Sequence, residues 1–194
     1  MYEEDYDDEE EEDYFDIFLY PMDLDPGLAD LLKRSLRALD YRLFVYDPVT
    51  RSRAVLENAL ETLADCEFAI FILTPKSVDS ALLNQFAGVA KSMEQRMKVF
   101  CMPGVRGKGM LSLAERVELR GDHEEIVSQV LRWIIEEEGV EMFSFKCSSC
   151  RDDDDYELPT ARDITNWERS RKPFEVVACC EHINRFNPKT LLPL

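Results

Sequence analysis

The sequence has little positive charge. Its 194 residues include 23 Lys and Arg against 40 Asp and Glu, which gives a formal net charge of -17. Contacts with nucleic-acid phosphates need Lys and Arg, so this balance argues against a nucleic-acid partner. The sequence also lacks any apolar run near the roughly 18 residues of a membrane span, and its N-terminus is the reverse of a positively charged signal peptide. We therefore expect a soluble cytoplasmic or nuclear protein with no membrane span, and assign it to the cytoplasm.

The acidic residues are concentrated at the N-terminus. Residues 1–13 hold ten Asp and Glu and no Lys or Arg, which leaves -7 of the net charge of -17 for the rest of the chain. Like charges this close together repel one another and bury nothing, so we predict a disordered acidic tail over residues 1–13. A change of character after residue 139 divides the remainder into an α/β domain, 14–139, and a C-terminal Cys/His extension, 140–194.

Apolar runs and amphipathic segments alternate through residues 14–139. The runs predict strands at 15–19, 42–46, 68–73, 97–102 and 116–119, and segments with one apolar stripe predict helices after most of them. Such strict alternation predicts right-handed crossovers and a parallel sheet. Five strands in this length fit the flavodoxin-like order 2-1-3-4-5, with the fourth helix missing or degenerate.

This strand order places a switch point between the first and third strands. Open α/β sheets bind their ligands at such a point, outside the carboxyl ends of the strands. The loops 20–26 and 74–80 should meet there, and the candidate polar residues of the crevice are Asp23, Thr74, Ser80 and Gln85. Asp25 lies in the same loop, but its position before Pro26 favours a helix cap.

Three segments of this domain read FDIFLYP from residue 15, RLFVYD from residue 42 and LADCEFAIFILTPKSVDSALLNQF from residue 63. In this order they resemble the TIR (Toll/interleukin-1 receptor) domain. The third is similar to a family pattern in which a buried strand ends in Ser/Thr-Pro and a serine and an apolar residue follow, here Thr74-Pro75, Ser80 and Phe86. The resemblance covers about residues 14–138 and implies the same flavodoxin-like fold.

The resemblance also implies what the domain does. In TIR domains that cleave NAD, a glutamate on the third helix holds the nicotinamide ribose, and Gln85 stands at that position. A neutral amide can hydrogen-bond a ribose, but it cannot act as a base or stabilise an oxocarbenium ion by charge. Tyr20 replaces a small family serine, and the second loop lacks the family's Arg-Asp pair. We therefore expect a non-catalytic interaction module of intracellular, innate-immune-type signal transduction, without NAD as a cofactor.

The partners expected for such a module are other TIR-like or signalling proteins, including a second copy of this chain. They would bind the helices and the loops 47–53 and 103–109. The alternative is an enzyme that cleaves the N-glycosidic bond of NAD or a nucleoside in the crevice. Nucleoside deoxyribosyltransferases share the topology, and residues 79–90 resemble the start of their carboxylate-bearing helix, although the carboxylate is absent.

The extension carries a pattern of metal ligands. Cys147 and Cys150, followed by Cys179 and His182, have the spacing of a tetrahedral Cys3His zinc site, and each pair follows a β-type run, as in zinc ribbons. Cys180 is an alternative to Cys179. Four protein ligands leave no open position, so we predict a structural zinc that stabilises a small segment, with unligated thiols as the alternative.

Overall fold

A computed structural model describes residues 14–21, 23–46, 52–157, 169, 173–178 and 180–194. The predicted acidic tail, 1–13, lies outside the described residues. Residues 47–51, which belong to the predicted interaction loop 47–53, also lie outside the described residues.

Five parallel strands form the main sheet, in the order β2-β1-β3-β4-β5. They are β1 Ile17–Tyr20, β2 Leu43–Val45, β3 Phe68–Leu73, β4 Arg96–Cys101 and β5 Arg116–Glu118. Four helices connect or follow them: α1 Pro26–Arg37, α2 Arg53–Asp65, α3 Ala81–Ser92 and α4 His123–Glu138. A short 3-10 turn, Gly109–Ser112, occupies the position of the degenerate helix. The predicted flavodoxin-like α/β fold is confirmed.

Local polar residues determine where the helices begin. Asp25 accepts hydrogen bonds from the backbone N–H groups of Gly27 and Leu28 and caps α1. The side chains of Ser52, Ser80 and Asp122 cap the other three helices in the same way. Each cap satisfies a backbone donor that has no partner within its helix.

The sheet has an apolar core on each face. All six residues of β3 are buried, as expected for a central strand covered on both sides. On one face α1 and α4 pack over β1, β3 and β4, and on the other face α2 and α3 do so. Among the described residues, the buried one with a charged side chain is Lys98, which is 3% exposed, pairs with Glu115 at 2.5 Å and lies 5.3 Å from the centre of the Trp133 ring.

The described part of the extension forms two antiparallel hairpins. The first pairs β6 Met142–Lys146 with β7 Asp153–Glu157, and the second pairs β8 Phe174–Val177 with β9 Ile183–Phe186. The sequence patterns predicted β6 and β8 but neither return strand. The sequence of β7 is mostly acidic and lacks the apolar alternation of a strand. Tyr156 is the residue that β7 contributes to the apolar core.

The hairpins pack on the α/β domain. The rings of Phe143, Phe145, Phe174 and Phe186 contact one another with centroids 5.0–5.8 Å apart. They belong to the same apolar cluster as α1 and α4. The backbone N–H of Ser144 donates to the carbonyl oxygen of Ala38, just after α1, at 3.0 Å. The extension therefore shares one core with the α1 and α4 face of the sheet.

Candidate metal centre and the predicted crevice

The turn after β3 is closed by its own polar side chains. The Thr74 N–H donates to Oγ of Ser77 at 2.8 Å, and the Ser77 N–H donates to Oγ1 of Thr74 at 3.1 Å. Both residues are buried. Thr74, a predicted crevice residue, thus forms part of a local turn, and its hydroxyl faces Ser77 within that turn.

The other crevice candidates are also engaged elsewhere or exposed. Oγ of Ser80 accepts the Leu83 N–H at 3.2 Å as the cap of α3. Gln85 and Asp23 have exposed side chains, and Asp23 has a positive φ of 57°. Across the described residues, no hydrogen bond joins any two of Asp23, Thr74, Ser80 and Gln85. The crevice does not bring these four groups into one hydrogen-bonded set.

Aromatic rings pack together in the core behind the carboxyl end of β1. Tyr20, the last residue of β1, is fully buried and stacks on Tyr46, with ring centroids 5.2 Å apart. Phe86 of α3 packs edge-on against Tyr46 at 4.9 Å and lies 5.7 Å from Tyr20. We name these three residues the aromatic block. They occupy the region between the strand ends and α3, on the face of the sheet that α3 covers.

Three cysteine side chains converge where the two hairpins turn. The sulfur atoms of Cys147, Cys150 and Cys180 all lie within 4.8 Å of one another, and those of Cys147 and Cys180 are 3.5 Å apart. We name this group the thiol cluster. It joins two hairpins that are distant in sequence, and its three sulfur atoms can hold a metal ion.

The first turn of the cluster wraps its backbone around Cys147. The Cys147 N–H donates to the Asp152 carbonyl oxygen at 2.9 Å, and the Arg151 N–H donates to the Cys147 carbonyl oxygen at 3.1 Å. Arg151 adopts the left-handed conformation, with a φ of 69°. This tight turn places Cys147 and Cys150 side by side.

The second turn is built in a related way. The Ala178 N–H donates to the His182 carbonyl oxygen at 2.9 Å, and Glu181 has a φ of 62°. Cys150 and Cys180 therefore occupy the same place in their turns, each directly before a left-handed residue. Left-handed backbone is uncommon for residues other than glycine, so the surrounding contacts must hold Arg151 and Glu181 in this conformation.

The surroundings of Cys147 favour a thiolate. Backbone hydrogen bonds from Cys150 and Ser149 lower the pKa of the Cys147 thiol to about 6, although its burial acts in the opposite direction. The side chains of Asn184 and Cys180 contribute to the lowering. Metals bind the thiolate form, so these N–H groups prepare Cys147 as a ligand.

Asn184 of β9 connects the two hairpins through hydrogen bonds. Its Oδ1 accepts from the Ser148 N–H at 3.0 Å and from the Ser148 hydroxyl at 2.9 Å. Its Nδ2 lies 3.7 Å from Sγ of Cys147 and donates to it. Asn184 is 5% exposed. The sequence carries no motif that would have identified this residue, because its role depends on the neighbouring hairpin.

The structure brings together part of the predicted ligand set. Cys147 and Cys150 are joined by Cys180, which was the alternative to Cys179. Cys179 lies outside the described residues. The side chain of His182 is exposed and is not one of the grouped ligands that the described part of the chain contains. The fourth ligand of the predicted Cys3His site stays a prediction.

The α/β domain holds two cysteines in a different environment. Burial raises the pKa of the Cys66 thiol to about 12, and it also raises the pKa of the Cys101 thiol. Both side chains are almost inaccessible to solvent. These two residues are packed as small apolar side chains, in contrast to the thiol cluster.

A groove of about 950 Å³ lies between the first half of α4 and residues 187–194. Its lining carries four basic and three acidic side chains. Lys189 pairs with Glu125 at 3.3 Å, and the Gln129 side chain exchanges hydrogen bonds with the backbone of Arg120. Because these charges nearly balance, the groove does not indicate a class of ligand.

None of the helices in the described part of the chain combines the length and the apolar character that crossing a bilayer requires. Comparison with known proteins gives no family assignment, since neither a protein-family model nor a curated protein matches the sequence.

Proposed function

We propose that this chain is a non-catalytic, TIR-like interaction module of cytoplasmic, immune-type signalling, whose C-terminal hairpins are held together by a structural zinc ion. The observation that carries the proposal is the aromatic block on a 2-1-3-4-5 parallel sheet. Tyr20, Tyr46 and Phe86 pack together behind the end of β1, on the face of the sheet that α3 covers, so the region next to the predicted crevice is apolar core.

The polar residues near the block support the same view. Thr74 and Ser77 satisfy each other within one turn, and Ser80 caps α3. Cleavage of an N-glycosidic bond develops positive charge on the ribose, which a carboxylate stabilises much better than an amide. Gln85 offers an exposed amide at the position where the family resemblance expects that carboxylate. A scaffold that binds through its surface needs none of these groups in a catalytic arrangement.

The thiol cluster supports the zinc part of the proposal. A tetrahedral zinc ion with Zn–S bonds of about 2.3 Å holds its sulfur ligands about 3.8 Å apart. The 3.5 Å between the sulfur atoms of Cys147 and Cys180 is close to that separation. Cys150 supplies a third sulfur, and Cys179 or His182 is the proposed fourth ligand. Asn184 would then act as an outer group that orients Cys147, a common feature of zinc sites.

Nicotinamide release from NAD tests the non-catalytic assignment. The purified full chain should release no nicotinamide above a protein-free blank, and Gln85→Ala should behave in the same way. Gln85→Glu restores the carboxylate but leaves the aromatic block in place, so it should also be inactive. Turnover by the unmodified chain that Gln85→Ala abolishes would instead support the glycosidic enzyme.

Sedimentation velocity over a series of protein concentrations tests the interaction part. We expect the sedimentation coefficient to rise with concentration, because modules of this kind associate with their own copies. A coefficient that stays that of a monomer at every concentration would contradict self-association and restrict the proposed partners to other signalling proteins.

A further inference from the structure

The three sulfur atoms of the thiol cluster differ in their access to solvent. Cys180 is exposed, Cys150 is partly exposed and Cys147 is buried. A small oxidant that diffuses to the cluster therefore meets Cys180 first. Exposure and thiolate character together determine which cysteines are oxidised, and a metal site keeps its sulfur atoms as thiolates.

The buried sulfur lies next to the exposed one. Sγ of Cys147 is 3.5 Å from Sγ of Cys180, whereas a disulfide bond is about 2.04 Å long. The two sulfur atoms therefore need to approach by only about 1.5 Å, which side-chain rotation at the end of a turn can provide. The two residues are in different hairpins, so their bond would link β6–β7 to β8–β9 covalently.

We propose that the thiol cluster is a site of reversible oxidation by hydroperoxides, at which Cys180 and Cys147 form a disulfide and the bound metal is released. The proposal rests on the zinc site of the proposed function. Its substrate class is a small hydroperoxide, with hydrogen peroxide as the simplest member.

The chemistry balances in two steps. The Cys180 thiolate attacks one oxygen of the peroxide, the O–O bond breaks, and protonation of the departing oxygen gives water and a sulfenic acid on Cys180. The Cys147 thiolate then attacks the Cys180 sulfur, the S–O bond breaks, and the departing hydroxide takes a proton to give a second water. Two thiolates thus lose two electrons in total, and the peroxide accepts both.

This reaction removes two of the three thiolates that the described cluster offers to a metal. Cys150 alone cannot hold the ion as firmly, because each lost thiolate removes one metal–sulfur bond. The disulfide replaces the metal as the link between the hairpins. Their shared aromatic core, formed by Phe143, Phe145, Phe174 and Phe186, does not depend on either link. A dithiol reductant would reverse the change by thiol–disulfide exchange.

The test uses the full-length protein as purified, with its zinc content measured by atomic absorption before any treatment. Hydrogen peroxide is then added, released zinc is followed with a chromogenic chelator, and free thiols are counted under denaturing conditions. We expect about one zinc released per chain and a fall from six to four thiols, since the chain has six cysteines. Peptide mapping should identify a Cys147–Cys180 disulfide, and dithiothreitol with added zinc should restore the starting state.

Two variants sharpen the result. Cys180→Ser should slow the peroxide-driven loss of thiols by about tenfold or more relative to the metal-free unmodified chain, because the accessible thiolate is gone. Cys101→Ala removes a buried cysteine of the α/β domain and should respond like the unmodified chain. If Cys180→Ser fails to fold, peptide mapping of the disulfide in the unmodified protein still tests the proposal.

The outcomes separate this proposal from the zinc assignment. Protein that contains zinc but loses neither zinc nor thiols in peroxide overturns the oxidation site and leaves the zinc assignment intact. Protein without zinc that still forms the Cys147–Cys180 bond overturns the zinc assignment and the metal-release step, and supports the disulfide step alone. A disulfide between Cys147 and Cys150 would contradict the pairing that the structure indicates.

Discussion

The carboxyl edge of the sheet and the tips of the two C-terminal hairpins differ in whether their polar groups are available for binding. In both regions polar residues follow the ends of strands. At the sheet edge, Thr74 and Ser77 bond to each other, and the rings of Tyr46 and Phe86 pack in the core beneath it. At the hairpin tips, three sulfur atoms from two separate hairpins face one another within 4.8 Å. A shared edge of a sheet therefore does not make a site unless its polar groups are left available.

The cysteines show the same difference in one residue type. Burial, together with the nearby carboxylates of Asp16 and Asp65, raises the pKa of Cys66 to about 12, whereas backbone N–H groups lower that of Cys147 to about 6. Both side chains are hidden from solvent. The backbone donors around the sulfur, rather than burial itself, decide whether a cysteine is prepared for chemistry.

The largest effect should come from opening the aromatic block. Phe86→Ala removes a fully buried ring that contacts Phe18, Tyr20 and Tyr46. We expect a loss of about 3–5 kcal/mol in the free energy of unfolding, typical of a large aromatic replaced by Ala. Denaturant unfolding measures it. The adjacent Gln85→Ala is the control, and because its side chain is exposed it should stay within about 0.5 kcal/mol of the unmodified chain. Equal losses of unfolding free energy in Phe86→Ala and Gln85→Ala would contradict the structural role of the aromatic block.

Metal removal should have the next largest effect. A ligand present at 100 times its Kd stabilises the folded state by about 2.7 kcal/mol. A chelator should therefore lower Tm by roughly 5–10 °C at the usual 2–4 °C per kcal/mol for a chain of this size. Cys147→Ser should abolish the response to chelator. Ser149→Ala, an exposed side chain in the same turn, should keep it.

Asn184 should affect metal affinity more than folding. Asn184→Ala removes the donor to the Cys147 sulfur and the acceptor of the two Ser148 hydrogen bonds. Loss of such an outer group weakens metal binding by about 10–100-fold. A zinc titration against a competing chelator measures this change. Arg185→Gln, on the exposed side of the same strand, should bind zinc like the unmodified chain, and a matching loss there would point to a general disturbance of β9.

The smallest effect is a difference in labelling rates. In metal-free protein at pH 7, iodoacetamide should modify Cys180 well before Cys66 and Cys101, by a factor on the order of ten or more. Cys180 is exposed, while the other two thiols are buried and burial raises their pKa values. Mass spectrometry of timed samples gives the order. Early labelling of Cys66 or Cys101 would contradict the difference in thiol accessibility between the α/β domain and the thiol cluster.

Much of the fold was predictable because its signals are local. The apolar run of β3 and the cap Asp25 are visible in the sequence, and strict alternation restricts the sheet to a parallel order. The strands β7 and β9 were not predicted, because their pairing partners rather than their composition define them. The predicted tail and part of the second loop lie outside the described residues.

The site was predictable only in part. The spacing of Cys147 and Cys150 indicates a turn that presents two sulfur atoms, and the structure places them together. Spacing cannot decide between the adjacent Cys179 and Cys180, because the path of the second turn, which spacing does not determine, decides which side chain faces the other hairpin. The aromatic block was likewise hidden, since Tyr20, Tyr46 and Phe86 meet only once three separate elements are assembled.

The zinc content of the full chain tests the contrast between the two regions most directly. Native mass spectrometry of protein purified without chelator should show one zinc ion per chain, with the ion lost in both Cys147→Ser and Cys180→Ser and kept in Cys101→Ala. Fewer than about 0.2 zinc ions per chain in the unmodified protein, or full zinc retention in both ligand variants, would contradict the assignment of the thiol cluster as a metal centre.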